Sequence, residues 1–146
     1  VVNGKIHVNG SQEHQIENAL RKTAGRVDAQ LVTVKSWFEN DVVVVETSGV
    51  QVLRSQASQA TKGTILFAFV KRQTEVAIGR GENQGRKVVY ANVVQQMRPV
   101  GEWTGEPVTL RIPRAQLPRD GFDFCAVLLQ NGATGPILAA AEIKMN

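Results

Sequence analysis

A chain of 146 residues, 42% apolar and 21% charged, is long enough for one packed domain plus a small appendage. Its 17 basic and 13 acidic residues leave a net charge of +4 spread along the chain, which fits an acidic partner without demanding one. The longest apolar runs, Val42 to Val45 and Ile65 to Val70, fall far short of the ~20 residues that a membrane-spanning helix needs. The one cysteine, Cys125, excludes an internal disulfide and a Cys-x-x-Cys redox pair.

The first segment reads Val1-Val2, Asn3-Gly4, Lys5-Ile6-His7-Val8, and Asn-Gly between β-prone runs predicts a hairpin. Asn9-Gly10 then turns the chain into a helix with Ser11 as N-cap and Glu13 favouring the helix dipole. Ile16, Ala19, Leu20 and Thr23 share one face, and Gly25 stops the helix at about Ala24. Two strands and one helix cannot bury a core of their own, so residues 1–28 are expected to need a partner. The opening Val1-Val2, without Met or leader, is expected of a chain cut from something longer or stripped of its leader. The open edges at Val1–Val2 and Lys5–Val8 predict a complementing chain or self-association.

Residues 29–146 carry the alternation of strands. Leu31 to Phe38, the turn Glu39-Asn40-Asp41 and Val42 to Glu46 predict a hairpin, and residues 54–63 a polar loop. Thr64 to Lys71 is apolar on both faces and is expected to be a central, twice-covered strand. A short strand Glu75 to Ile78 leads into the glycine-rich loop Gly79 to Gly85. Lys87 to Met97 is β-rich, with Gln95 to Met97 open to a helical reading. Val108 to Ile112, Phe124 to Gln130 and Ile137 to Ile143 complete about eight short strands. The expected fold is mainly β: an antiparallel β-sandwich preceded by a β-hairpin and one α-helix.

Candidate chemistry is sparse. In Gly79 to Arg86, the glycines permit left-handed backbone, and Arg80 and Arg86 suit a carboxylate or phosphate. Arg80, Glu82, Asn83 and Arg86 are the candidate ligand-binding residues. An ordinary hairpin loop, with Glu82 paired to an arginine and Asn83 bonded to its own backbone, explains the same residues. The G-x-G-x-x-x-G spacing precedes a strand, so it is no dinucleotide fingerprint. His7 and His14 lack the companion ligands of a metal site, and no Ser-His-Asp set is available to the β domain. No catalytic residue, cofactor or metal is assigned. Glu39, Asp41 and Glu46 read as a solvated hairpin rather than an acid/base pair. Cys125, within the apolar run Phe124 to Leu129, reads as a buried small hydrophobe. Arg111, Arg114 and Arg119 near Pro113 and Pro118 suggest a basic surface loop, but 5% aromatic content disfavours nucleic acid. Trp37 and Trp103 read as core or inter-domain packing.

The series Gly79-Arg80-Gly81-Glu82-Asn83-Gln84-Gly85-Arg86, Tyr90-Ala91-Asn92-Val93-Val94, Gly101-Glu102-Trp103-Thr104-Gly105, Ala126 to Gln130 and Gly135 to Ala141 resembles a known family. It is similar to the C-terminal half of a bacterial secreted thioredoxin-like family of unknown function, and Val1-Val2-Asn3-Gly4 matches where that family's thioredoxin unit resumes. The resemblance implies a partial thioredoxin-like segment at 1–28, a β-sandwich at 29–146, and a secreted or periplasmic location. It also implies a missing half bearing a Cys-x-x-Cys-type pair, absent from this sequence. The expected role is an accessory or structural domain whose partner is that N-terminal half, with a small anionic ligand at the glycine-rich loop. Part of a thiol-disulfide oxidoreductase is one alternative. An acidic-ligand or nucleic-acid binding module, or a module binding through a sheet face, is another.

Overall fold

The computed structural model describes residues 2, 6–24, 32–49 and 62–144. Among these, seven strands form two antiparallel sheets, with one helix preceding them. Helix α1 spans Glu13–Ala24. Strands β1 (Val34–Glu39), β2 (Val42–Thr47) and β5 (Val108–Pro113) form a three-stranded sheet in the order β1-β2-β5. Strands β3 (Gly63–Ala77), β4 (Lys87–Trp103), β6 (Phe124–Asn131) and β7 (Ile137–Lys144) form the second sheet, β4-β3-β6-β7. The mainly β sandwich read from the alternation is the fold of the chain.

The core lies between the sheets. Strand β3 directs Ile65, Phe67 and Phe69 inward, and β6 directs Cys125, Val127 and Leu129 to meet Val43 and Val45 of β2. Trp103, Leu117 and Ile143 close the ends of this cluster. Burying each such aliphatic or aromatic side chain contributes about 1.5–3 kcal/mol, so this one layer carries most of the fold's stability. Phe69 meets Phe67 and Phe122 edge-on, at centroid distances of 6.1 and 4.9 Å. Thr47, the buried polar residue of the core, is satisfied by exchanging bonds with Val108: its hydroxyl accepts from the amide and donates to the carbonyl.

Several expectations change. The strands expected at Thr64 to Lys71 and Glu75 to Ile78 are one 15-residue strand, because β4 pairs with β3 along its whole length. Gln95 to Met97 is strand, not helix, for the same reason; Gln95 is the extra residue of a bulge where Phe69 pairs Gln96 and Val70 pairs Val94. A second bulge places Val100 out of register, and Asn92 takes a left-handed φ of 52°. Of the N-terminal hairpin, the described residues show one bridge, in which Val2 and Ile6 exchange backbone bonds, and residues 1 and 3–5 lie outside them. Ser11 does not cap the helix. Its hydroxyl donates to Asn9 Oδ1 at 3.0 Å, and the Gln12 carbonyl accepts the first helical bonds. Trp103 is fully buried, whereas Trp37 is 41% exposed on the outside of β1. The polar loop expected at 54–63 ends earlier, since Gly63 already belongs to β3; its residues 54–61, the helix stop at Gly25 and the domain boundary at residues 28 and 29 lie outside the described residues.

The β3–β4 hairpin is longer than the sheet that holds it. Strand β6 pairs with β3 only from Thr64 to Val70; residues 71–77 pair with β4 alone. Asp123 marks the divergence: its amide donates to the Val70 carbonyl and its carboxylate accepts from the Arg72 amide at 2.7 Å. Seven residues at ~3.3 Å each carry this two-stranded arm ~23 Å past the sheet. Arg72 braces the arm's root, lying 4.6 Å over the Phe124 ring and bonding Glu142 at 2.9 Å.

Gly63 begins β3 where no side chain fits. An added Cβ would lie 2.7 Å from the Gln130 carbonyl oxygen and close to Trp103 and Leu129. Gly63→Ala is therefore expected to destabilise the sandwich by ~1–3 kcal/mol in chemical denaturation. Gly79→Ala, with open space around it, should leave the midpoint nearly unchanged.

Candidate functional site

The glycine-rich loop caps the arm. Ile78 and Arg86 close it: the Ile78 amide donates to the Arg86 carbonyl at 2.8 Å, and the Gly85 amide donates back to Ile78 at 2.9 Å. Inside, the Gln84 amide donates to Gly81 and the Arg86 amide to Asn83. Gly81 and Gly85 take φ values of 91° and 83°, which side-chain-bearing residues rarely adopt. The amides of residues 84–86 are thus spent within the turn and are not offered to an anion. What the loop offers outward is side chains.

Arg80, Glu82, Asn83 and Arg86 are all exposed on this loop. The structure joins two of them: Arg86 donates to Asn83 Oδ1 at 3.2 Å, which orients the guanidinium. The bond expected from Asn83 to its own backbone is replaced by this one. Among the described residues Glu82 forms no ion pair with either arginine, so the ordinary-loop pairing expected of it is not formed. Nearby on the arm, Lys87 pairs with Glu75 at 2.6 Å. The tip therefore presents Arg80 and Arg86 to solvent.

A concavity of about 510 Å³ lies at the end of the sandwich from which the arm departs, lined by Asp41, Arg114, Arg119 and Phe122 among others. The arginines expected on one basic surface loop are divided between elements here. Arg111 belongs to β5 and bonds Glu39 at 2.9 Å; this hydrogen bond, with the opposite charge, holds the Glu39 carboxyl below its usual range. Arg114 opens a short 3-10 turn (Arg114–Gln116) and lies 5.1 Å over the Phe38 ring. Asp41 brings negative charge to the same concavity. Sequence reading missed this convergence, because Asp41 is far from Arg114 in the chain; Pro113 and Pro118, which bracket the 3-10 turn, were its one local signal.

The sole thiol is inert by position. Cys125 is buried between the sheets, and desolvation pushes its pKa up to about 12, against a smaller opposing pull from Arg98. His7 and His14 are both exposed.

DUF1223, a family described as protein of unknown function, matches residues 1–130. The chain belongs to the DUF1223 family. A crystal structure of a structural-genomics protein from Agrobacterium tumefaciens is similar to it with a TM-score of 0.70 and 24% identity, over 99% of this chain. That likeness gives the fold alone. The DUF1223 chain spans 60% of that relative's length. No curated protein matches it.

Cys125 yields a pH test. An unfolded thiol titrates near pH 9, the native one at about 12. The native state therefore holds a proton that the unfolded chain releases. The stability this contributes is complete below pH 9 and is lost as pH rises towards 12. The unfolding free energy should fall through that window, by up to ~1.4 kcal/mol per pH unit from this group, and that share of the slope should be missing in Cys125→Ala.

Proposed function

We propose that this chain is the accessory β-sandwich of a longer, secreted or periplasmic protein that also contains a thioredoxin-like unit, and that it positions a small anionic ligand rather than carrying out chemistry. The observation that carries this reading is the arm. A two-stranded ribbon held at its root by Asp123 and Arg72 sets Arg80 and Arg86 ~23 Å beyond the sheet, where they can reach a site on another domain. Two guanidinium groups on a short loop suit a carboxylate or phosphate, and the Asn83 bond limits the freedom that Arg86 loses on binding. Residues 1–28 are, in this reading, the end of the thioredoxin-like unit.

A redox role for the complete protein would need a cysteine pair outside this chain, since Cys125 is the only thiol in the sequence and is buried. Nucleic-acid binding gains little support, since Arg111 is engaged by Glu39 and Arg114 by Phe38.

The test is the double substitution Arg80→Ala and Arg86→Ala in the complete protein. Binding of inorganic phosphate and a small dicarboxylate is measured by calorimetry, and thiol reactivity in parallel. The expected result is a loss of anion affinity of about tenfold or more with an unchanged denaturation midpoint, in line with two charge-assisted contacts. Equal affinity in both proteins removes the ligand-positioning role.

A further inference from the structure

The two sheets of this sandwich treat their outer faces differently. On the outside of the three-stranded sheet, Lys35, Glu39, Glu46, Thr109 and Arg111 surround Trp37 and the buried Val44 paired with it, a largely polar face. The outside of the four-stranded sheet carries more apolar surface, beside the charged Arg72, Glu142 and Lys144. Ala68, Val70 and Phe124 form a second buried cluster there, with Ala126 and Leu128 packed against it. The register extends this face along the hairpin. Leu66 pairs Pro99, Ala68 pairs Met97, Val70 pairs Val94, Thr74 pairs Tyr90 and Val76 pairs Val88. Alternation along β3 puts all these pairs on the same side. Four of the seven exposed large hydrophobics, Val76, Tyr90, Val94 and Met97, therefore lie on one stripe. From Val88 to Met97 there is no charged residue; Arg72, which alternation places within the stripe between Val70 and Thr74, is neutralised by Glu142.

We propose that this stripe is the docking surface for a further domain of the same longer polypeptide, which presents an apolar, uncharged counterface to it. The inference rests on the reading that the chain is one part of a longer protein. Its relative of the same fold has substantial length beyond the matched 60%. The size of the stripe also favours a tethered occupant over a second copy. At ~35 Å by ~10–15 Å it covers on the order of 400–500 Å², below the ~800 Å² per partner of a stable complex. A covalently joined domain, held at high effective concentration, docks stably on less. Docking here also fixes the arm, and with it the position of Arg80 and Arg86.

The arm supplies its own control, since Val89 is 58% exposed on its opposite side, paired with Glu75. Single variants Tyr90→Cys, Val94→Cys and Val89→Cys are made in the full-length protein. Iodoacetamide labelling is followed by peptide mass spectrometry, with buried Cys125 as the internal gauge of folding. Residues 90 and 94 are expected to label about tenfold more slowly than residue 89. Hydroxyl-radical footprinting of the unsubstituted protein gives the same answer without mutation: Tyr90 and Met97 should be protected relative to Trp37. Equal rates at all positions overturn the inference, and so does protection that vanishes on about a hundredfold dilution, which assigns the face to a second copy. The thioredoxin reading is tested separately, by titrating a reactive cysteine pair in the full-length protein. A protected stripe without such a pair leaves the docking standing and removes that reading; a pair with an unprotected stripe does the reverse.

Discussion

Everything in this molecule is arranged around one strand that is apolar on both sides. Strand β3 must be covered twice, and it recruits different neighbours to do so. Its inward residues Ile65, Phe67 and Phe69 hold the two sheets together. Its outward residues Ala68 and Val70 draw in Phe124. Because β3 has β4 on one side and β6 on the other, it also sets the order of its sheet. The arm forms where β3 and β4 continue together after β6 has turned away at Asp123.

Much of this was legible in the sequence. Strict alternation through Val32, Val34 and Lys35, and the two-sided apolar run at Ile65 to Val70, indicate sandwich strands because burial on one face or two leaves different patterns. Cys125 could be placed inside from the apolar run that contains it. The arm was not legible as a unit. Lys71-Arg72-Gln73 looks like a strand end, since three polar residues interrupt the pattern, yet backbone pairing to β4 carries the strand straight through them. The helical reading of Gln95 to Met97 failed for the same non-local reason, with a bulge at Gln95 imitating a change of period.

The candidate site was legible in part. Gly81 and Gly85 do occupy the left-handed positions expected of them, and Arg80 and Arg86 do reach solvent. The use of the loop's amides depends on the closing pair Ile78 and Arg86, which no local motif encodes. The grouping of Asp41, Arg114, Arg119 and Phe122 depends on tertiary packing across more than 70 residues, and periodicity carries no information at that range.

Strand β4 ends its sheet, and a 17-residue open edge would ordinarily template the growth of a foreign strand. This edge is broken at intervals. Pro99 has no amide to offer, Val100 and Gln95 step out of register, and Asn92 reverses its backbone twist. A regular invading strand meets an interruption every few residues, so the hydrogen-bonding edge of β4 is guarded against polymerisation. The chain can keep a long apolar surface on the flat of the sheet because the rim beside it resists zippering.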